Sequence, residues 1–239
     1  MFRRRKADPE VDASVEDVAA PSVEDEAQDR PAADRSGGPF DVEEEPDDGL
    51  TRLDLGGLRV AGADGMEIRL EVDQATQAVS AVTVVANDSA LQLTAFAAPR
   101  TEGIWDDVRG EIRANLAASG PVDEIQGDFG RELQATLTIP DEQGRQATQP
   151  VRFVGVDGPR WFLRGLFTGA AARDPRAARA LEAVLRATVV VRGTDPMAPG
   201  DPLPLHLPTE VPEGISPRDE DDRRTLPPPE RGPEITEIR

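Results

Sequence analysis

Apolar residues recur with a regular period only in the middle of this chain of 239 residues. Residues 1–49 and 210–239 are instead rich in Asp, Glu and Pro, with scattered single apolar side chains. Segments of that composition do not bury enough apolar surface to offset the entropy lost on ordering. We therefore expect one folded domain over residues 50–209, with a disordered acidic tail over 1–49 and a disordered Pro-rich, charged tail over 210–239.

The formal net charge of −19 at pH 7 is concentrated toward the ends. Basic and acidic side chains number 6 and 16 in residues 1–49, 16 and 21 in residues 50–209, and 5 and 9 in residues 210–239. A chain this acidic repels DNA and RNA, whose binding depends on neutralising phosphates with Lys and Arg. We expect no nucleic-acid partner.

The chain contains no cysteine, which excludes disulfides and thiolate chemistry and favours a reducing compartment. The start MFRRRK runs into DPEVDASVED without the apolar stretch of a secretory signal. No run of apolar residues is long enough for a transmembrane segment. We expect a cytoplasmic protein. The basic cluster from Arg3 to Lys6 is either a solvated terminus or a patch that touches an anionic membrane surface.

Two-residue alternation predicts the strands. MEIRLEVD, residues 66–73, alternates apolar and charged side chains, which indicates a strand with one wet face. AVSAVTVVA and SALQLTAFAA flank turn residues Asn87 and Asp88 and predict a hairpin. FGRELQATLTIP, residues 129–140, predicts a further strand, followed by a turn around Asp141 to Gly144.

Two stretches have the period of a helix. Over residues 101–120, four apolar residues at spacings of 3, 4 and 4 predict a helix that Thr101 caps and Gly120 closes. These four residues are Trp105, Val108, Ile112 and Leu116. RDPRAARALEAVLRAT predicts a second helix, with Asp174 as the N-cap and Pro175 as the first helical residue.

Together these elements predict an α+β domain, an antiparallel sheet of about six to seven strands with two helices packed on it. TVVVRG closes the domain with a short strand, and DPMAPGDPLPLHLP then runs extended over the surface, because proline does not pair in a central strand.

The sequence contains no motif for common chemistries. Lys6 is the sole lysine and lies in the acidic tail, which excludes P-loop and Schiff-base chemistry in the domain. His206, the sole histidine, lies in PLPLHLP without a GxSxG motif elsewhere. GLRVAGADG lacks the spacing of a dinucleotide site. We predict no cofactor and no metal site.

Two groups of neighbouring carboxylates in the sequence are better explained as solvated side chains than as catalytic or metal-binding groups. Asp106 and Asp107 project about 100° apart on a helix, so they do not converge on one substrate. The acidic run from Asp41 to Asp48 lacks the ordered oxygen cage that Mg²⁺ or Ca²⁺ requires.

The stretch VRFVGVDGPRWFLRGLFTG, residues 151–169, holds four of the nine aromatic residues. Pro159 prevents a two-residue Asp-Gly hairpin, because it lacks the closing N–H, so we expect a longer loop and leave the register open. In the second strand, Trp161, Leu163, Gly165 and Phe167 share a face, which we assign to the core.

The other face of that strand presents Arg160, Phe162, Arg164 and Leu166. If the register sets Arg152 beside it, three arginines surround Phe162. Such a patch could cover a half-buried sheet face with its aliphatic stems, bind the chain's own residues 41–48, or receive the carboxylate of a partner. Arg152, Arg160, Phe162 and Arg164 are thus the candidate binding residues.

Several stretches resemble an uncharacterised actinobacterial domain-of-unknown-function family of acidic proteins, over about residues 40–208. They include FDVEEEPDDGLTRLDLGGLRV, LQLTAFAAPRTEGIWDDVRGEI and VVVRGTDPMAPGDPLPLHLP. The resemblance implies no activity, cofactor or catalytic residue. The strand order, with FAAPRTEGIWDDV entering a helix, is also similar to the small α/β sandwich of PsbP-like lipoproteins and adaptors, an analogy of architecture alone.

The resulting hypothesis is a non-enzymatic cytoplasmic binding or adaptor domain with a protein partner. One alternative is an enzyme with a carboxylate and arginine site in a sheet-side cleft. Another is a structural or membrane-surface component that uses the basic N-terminus. The sequence does not determine the oligomeric state.

Overall fold

A computed structural model of the chain describes residues 35–72, 78–100, 103–118, 120–140, 145–208 and 217–219. Most of the two predicted tails therefore lies outside the described residues. So do three features predicted from the sequence: the basic cluster from Arg3 to Lys6, the cap at Thr101, and the turn from Asp141 to Gly144.

The described residues form strands, two α-helices and two short 3₁₀ helices at Val42–Glu44 and Ala170–Ala172. In chain order the elements are β1 (Phe40–Asp41), β2 (Arg52–Asp54), β3 (Leu58–Ala61), β4 (Met66–Val72), β5 (Val79–Ala86), β6 (Ser89–Ala97), α1 (Trp105–Leu116), β7 (Val122–Gly127), β8 (Gly130–Pro140), β9 (Gln146–Gly158), β10 (Trp161–Gly169), α2 (Pro175–Ala187), β11 (Val189–Val190) and β12 (Pro217–Asp219). Neither α-helix is long and apolar enough to cross a membrane.

The strands form two sheets. The larger has the order β12-β4-β5-β6-β10-β9-β8-β7, in which the seven strands from β4 to β7 pair antiparallel and β12 is added parallel to β4. The smaller has the order β1-β11-β3-β2. The predicted α+β class, with an antiparallel sheet and two helices, is confirmed. The smaller sheet was not predicted from the sequence.

The two-residue period assigns each side chain of the larger sheet to one of two faces. We name as the core face the one that holds Ile68, Leu91, Leu163 and Phe167, all nearly or fully buried. Helix α2 packs on this face, with Leu181 and other apolar side chains of the helix turned toward it. The opposite face we name the α1 face, because α1 packs there against β8 and β9.

Helix α2 begins as the sequence predicts. Asp174 is the N-cap, its carboxylate accepts a hydrogen bond from the Arg176 N–H at 2.8 Å, and Pro175 is the first helical residue. Proline suits that position because its missing N–H is one that the helix leaves unused. These two residues fix where the helix starts along the core face.

The acidic segment from Phe40 to Asp48 does not match the predicted disorder. Phe40 and Asp41 form β1, paired with β11, and the 3₁₀ helix Val42–Glu44 follows. The Asp41 carboxylate accepts a hydrogen bond at 2.8 Å from the indole N–H of Trp161, whose side chain is fully buried. An indole N–H needs an acceptor when it is buried. The ordered structure therefore begins before residue 50, and a tail over residues 1–34 stays a prediction.

Three arginines pair with the carboxylates of this segment. Arg35 pairs with Glu44 at 2.9 Å, and Arg52 pairs with Asp48 at 2.6 Å. Arg59 on β3 pairs with Glu45. Three of the six carboxylates between Asp41 and Asp48 are thereby neutralised, so the segment can lie against the domain despite its composition. The predicted alternative, binding of residues 41–48 to Arg152, Arg160 and Arg164, is wrong for the carboxylates of Glu44, Glu45 and Asp48.

The proline-rich segment after β11 runs extended, as predicted, and joins the two sheets. The Leu203 N–H bonds to the Ala95 carbonyl at 2.8 Å, and the His206 N–H bonds to the Leu55 carbonyl at 3.0 Å. Leu203 and Leu205 are buried between these contacts. The segment therefore contributes to the core as well as to the surface.

Asp41→Ala should destabilise the domain by about 1–3 kcal/mol, because it leaves the buried indole N–H of Trp161 without its acceptor. The free energy of unfolding from urea titration measures the effect. Asp47 is exposed nearby on the same segment, so Asp47→Ala is the matched control and should change stability by less than about 0.5 kcal/mol. Equal effects of the two variants would show that the segment does not depend on this bond.

Candidate functional site

The β9–β10 hairpin closes with a two-residue turn, which corrects the prediction of a longer loop. Gly158 pairs with Trp161, so Pro159 and Arg160 are the central residues of the turn. Proline favours the first central position of a type II turn, and the positive φ of 64° at Arg160 is what the second position requires. Moving the turn by two residues from Asp157-Gly158 removes the need for an N–H on Pro159.

The turn sets the register of the two strands. Arg152 lies opposite Phe167 and therefore on the core face, whereas Arg164 lies opposite Gly155 and on the α1 face. Arg160 is in the turn, where its carbonyl accepts hydrogen bonds from the Ala98 N–H at 2.9 Å and the Arg192 Nε at 3.2 Å. The structure does not bring the three arginines together around Phe162.

Phe162 is buried beneath α1 and is not part of an exposed patch. Its ring stacks on Trp105 with centroids 5.8 Å apart and on Phe96 with centroids 6.0 Å apart. The Trp105 ring lies where a side chain at position 155 would be, so Gly155 is what lets α1 approach the sheet. The helix therefore covers β9 and the near end of β10.

Asp157 caps the N-terminus of α1 from the neighbouring strand. Its carboxylate accepts hydrogen bonds from the Ile104 N–H at 2.8 Å and the Trp105 N–H at 3.3 Å. Burial raises the pKa of Asp157, and the two backbone N–H groups offset part of that effect. The positive end of the helix dipole favours the charged form at this position. This long-range cap stands where the sequence predicted a local one.

The core face carries a buried charged cluster of Glu132, Arg152 and Glu182. Arg152 Nη1 bonds to Glu132 at 3.2 Å, and Nη2 bonds to Glu182 at 2.7 Å. The guanidinium also lies 4.3 Å from the centroid of the Phe167 ring. Glu132 is 0% exposed, Arg152 is 7% exposed and Glu182 is 8% exposed. The cluster joins β8 and β9 to α2.

Two carboxylates share one cation in this cluster. Burial is the largest influence on Glu132 and raises its pKa, while Arg152 offsets part of this and Glu182 adds to it. Arg152 Nε is buried without a hydrogen-bond partner. Both Nη groups of Arg152 are hydrogen-bonded to carboxylates of the chain itself. The cluster is therefore better suited to holding α2 on the sheet than to binding a solute.

The α1 face is uncovered over β4, β5, β6 and the far end of β10 in the described residues. Val85, Arg164 and Leu166 are half-buried there, in contrast with the buried side chains of the core face. Glu71 lies at one side of this area, where its Oε1 accepts hydrogen bonds from Thr83 at 3.0 Å and Gln92 at 2.6 Å. We name this area the open face.

Arg164 lies at the border between the open face and α1. Its guanidinium carbon lies 5.3 Å from the centroid of the Phe96 ring. Within the described residues it has no carboxylate or other hydrogen-bond acceptor. Burial lowers the pKa of Arg164 below its usual range. A half-buried guanidinium in this state can accept a planar anion at its free edge.

Other residues singled out from the sequence have structural surroundings. His206 is exposed on the proline-rich segment, and its ring occupies the space beside Gly56. Asp106 bonds to Arg109 at 2.6 Å, and Asp107 is exposed on the outer side of α1. In the part of the chain that the structure describes, no group of three or more His, Cys, Asp or Glu side chains is placed to hold a metal ion.

Sequence reasoning missed Glu132, Glu182 and Asp157. For Glu132 the alternation in FGRELQATLTIP indicates only that it lies on the face opposite to that of Leu133. Glu182 has the helical spacing of the buried residues Ala178 and Leu185, so a charged residue within an apolar stripe was visible. Neither pattern indicates Arg152 as the partner, since that depends on the hairpin register.

Comparisons with known proteins give a family and little else. The model of a family described as "Protein of unknown function (DUF3710)" matches residues 38–214. No curated protein matches the chain. Among solved structures, cyanobacterial PsbP (CyanoP) from Synechocystis sp. PCC 6803 is similar at 11% identity, with 61% of this chain and 96% of that chain covered. The TM-score of that match is 0.30, and at this level the likeness carries no argument.

Glu132→Gln should make the unfolding free energy less dependent on pH. Burial raises the pKa of Glu132 in the folded protein above its value in the unfolded chain. The protonated carboxyl is therefore better tolerated in the folded state than the carboxylate. The unfolding free energy is highest below the pKa of the unfolded chain and falls as the pH rises through the pKa of the folded protein. The variant stays neutral, so its stability relative to the wild type should increase as the pH rises from 4.5 upward.

Urea titrations at a series of pH values measure this difference. Glu111 is exposed on α1, so Glu111→Gln is the control and should give a difference that does not change with pH. If the Glu132→Gln difference were equally constant, the buried carboxyl would not have the raised pKa on which the prediction rests.

Gly155→Ala should destabilise the domain by about 1–3 kcal/mol, because the added methyl group overlaps the Trp105 ring and forces α1 away from the sheet. Thermal unfolding and near-ultraviolet circular dichroism measure the two effects. Gly110→Ala is the control within α1: nothing lies within 4 Å of the added carbon, and alanine should stabilise the helix by about 0.5–1 kcal/mol. A stable Gly155→Ala variant with an unchanged tryptophan signal would contradict this packing.

Proposed function

The chain belongs to the DUF3710 family of proteins of unknown function, and within that family we propose that it is a non-enzymatic cytoplasmic binding or adaptor domain. The open face is its recognition surface for a protein partner. The proposal rests on one observation: the described elements bury the core face over β5, β6 and β10 and cover the β8–β9 part of the α1 face, but leave the open face half-exposed.

The composition of the open face suits a protein partner. It combines the apolar side chains of Val85 and Leu166 with the charge of Arg164 and the carboxylate of Glu71. Such a mixture of apolar area and separated charges is typical of transient protein interfaces, which are about as apolar as the rest of a protein surface. A sheet face also presents its side chains on a rigid frame, so binding costs little conformational entropy.

The enzyme alternative has less support. Its best candidates are the two carboxylates that converge on Arg152, but Glu132, Glu182 and the arginine are buried between the sheet and α2. A general acid or base has to come within hydrogen-bond distance of its substrate. These groups are instead within that distance of each other.

The cytoplasmic setting and the role of the tails follow from composition. The absence of cysteine suits a reducing compartment, and the acidic residues 1–34 and 220–239 add negative charge that keeps the chain soluble. The alternative of a membrane-surface role depends on Arg3 to Lys6, outside the described residues, and stays a prediction.

Photo-crosslinking in cells tests the proposal. Val85 is replaced with p-benzoylphenylalanine in the full chain, so that the probe lies on the open face. A surface used for recognition should give a discrete cross-linked adduct, which mass spectrometry identifies. The same probe at position 179, exposed on α2, is the control and should not give that adduct.

Leu166→Glu in the Val85 probe background makes the test specific, because a buried interface does not accept a new charge. The adduct should then fall several-fold while the variant's thermal stability stays near that of the parent. Identical adducts from positions 85 and 179, or an adduct unaffected by Leu166→Glu, would contradict the proposed surface.

A further inference from the structure

We propose that Arg164 is the anion-binding residue of the open face and binds a carboxylate of an extended partner segment, next to an apolar side chain of that segment. The inference rests on the proposed function, since it names the chemistry that the open face recognises. It assigns a role to one residue, and it is tested separately from the surface as a whole.

The first observation is that the arginines with buried side chains have oxygen partners, whereas the side chains of the half-buried Arg160 and Arg164 have none within the described residues. Arg52 and Arg109 have carboxylates within 2.6 Å, and Arg152 has two. Arg192 donates to two carbonyl oxygens. Burial lowers the pKa of Arg164, and within the described residues its side chain has no such acceptor. A partly desolvated charge without a counter-charge is less favourable than an exposed one, so this guanidinium gains more from an added anion than exposed arginines do.

The second observation concerns the residues that surround the Arg164 side chain. Thr94 and Gly155 are the cross-strand neighbours of Arg164, and Phe162 and Leu166 precede and follow it on the same face of β10. One side of the guanidinium faces the Phe96 ring. The Trp105 ring fills the space above Gly155, so the surface around Arg164 ends there on the side of α1. The open direction is along the sheet toward Leu166 and Val85.

These surroundings select the ligand chemistry. A planar guanidinium held against an aromatic ring presents a pair of N–H groups that matches the two oxygens of a carboxylate. The adjacent half-buried apolar area suits an apolar residue of the same segment. An Asp, a Glu or a C-terminal carboxylate beside an apolar side chain satisfies both.

The chain's own carboxylates are the competing occupants. Three carboxylates of the acidic segment already form ion pairs elsewhere and are not bound to Arg164: Glu44 pairs with Arg35, Glu45 with Arg59 and Asp48 with Arg52. Residues 7–34 contain ten acidic side chains and one basic one, and they lie outside the described residues. These residues include acidic side chains next to apolar ones, as at Val15-Glu16, but apart from proline their apolar residues are only Val and Ala. A partner segment is favoured because a larger apolar side chain covers more of the apolar area beside Arg164.

Nuclear magnetic resonance titration with two short peptides tests the proposal. The probes are acetyl-Leu-Asp-amide and acetyl-Leu-Asn-amide, which differ in charge but hardly in shape, added to the ¹⁵N-labelled full chain. The Arg164 Nε–H signal, assigned by its loss in Arg164→Lys, should shift and saturate with the Asp peptide, with a dissociation constant on the order of millimolar. The Asn peptide should bind at least about fivefold more weakly.

Substitutions at position 164 separate charge from shape. Arg164→Lys keeps the positive charge but lacks the paired N–H donors of a guanidinium, so it should weaken binding of the Asp peptide several-fold. Arg164→Gln removes the charge, so this variant should bind the Asp and Asn peptides equally. Arg176→Gln, at an exposed arginine of α2, should change neither. Equal binding of both peptides, or unchanged binding by Arg164→Gln, would overturn the assignment.

The same spectra distinguish this failure from failure of the proposed function. If both peptides shift the signals of Val85 and Leu166 regardless of the residue at 164, the open face binds and the assignment of Arg164 is wrong. If the Asp peptide binds only after removal of residues 1–34, the chain's own acidic segment occupies Arg164, which overturns the partner as its ligand.

Discussion

The turn at Pro159 and Arg160 decides what the rest of the larger sheet can present. Because side chains alternate along a strand, a shift of one residue between β9 and β10 would exchange the two faces of β9. The observed register places Arg152 opposite Phe167 and Arg164 opposite Gly155. One arginine is thereby directed into the core, where two carboxylates receive it, and the other onto the α1 face without an acceptor among the described residues.

Glycine and tryptophan close the two faces of this hairpin in the same way. The Trp105 ring lies over Gly155 on the α1 face, and the Trp161 ring lies over Gly158 on the core face. A flat ring packed on a glycine restores the apolar contact that the glycine lacks, and it leaves no room for a Cβ atom. The chain has nine aromatic residues, and it uses both of its tryptophans to attach an element to this hairpin: α1 through the first and the acidic segment through the second.

Local patterns predicted the elements well and the contacts between distant segments poorly. The alternation in β4 and the Asp174-Pro175 start of α2 depend on neighbouring residues, so the sequence alone was sufficient for them. The cap of α1 by Asp157 joins positions some fifty residues apart, and no local pattern encodes it. The order of residues 41–48 has a similar cause, since it depends on the distant indole of Trp161 in addition to arginines that lie close by in the sequence.

The same limit explains the candidate site. Sequence reasoning named Arg152, Arg160, Phe162 and Arg164 from their clustering within one stretch, but their roles depend on which neighbours they meet. Arg152 meets buried carboxylates, Arg160 supplies a backbone carbonyl, and Phe162 is covered by Trp105. Three of the four are thereby committed to the fold. The guanidinium groups of Arg160 and Arg164 both lack a carboxylate among the described residues. Arg164 is the one of the two that lies on the sheet face, against the Phe96 ring, where an external ligand would supply what the fold does not.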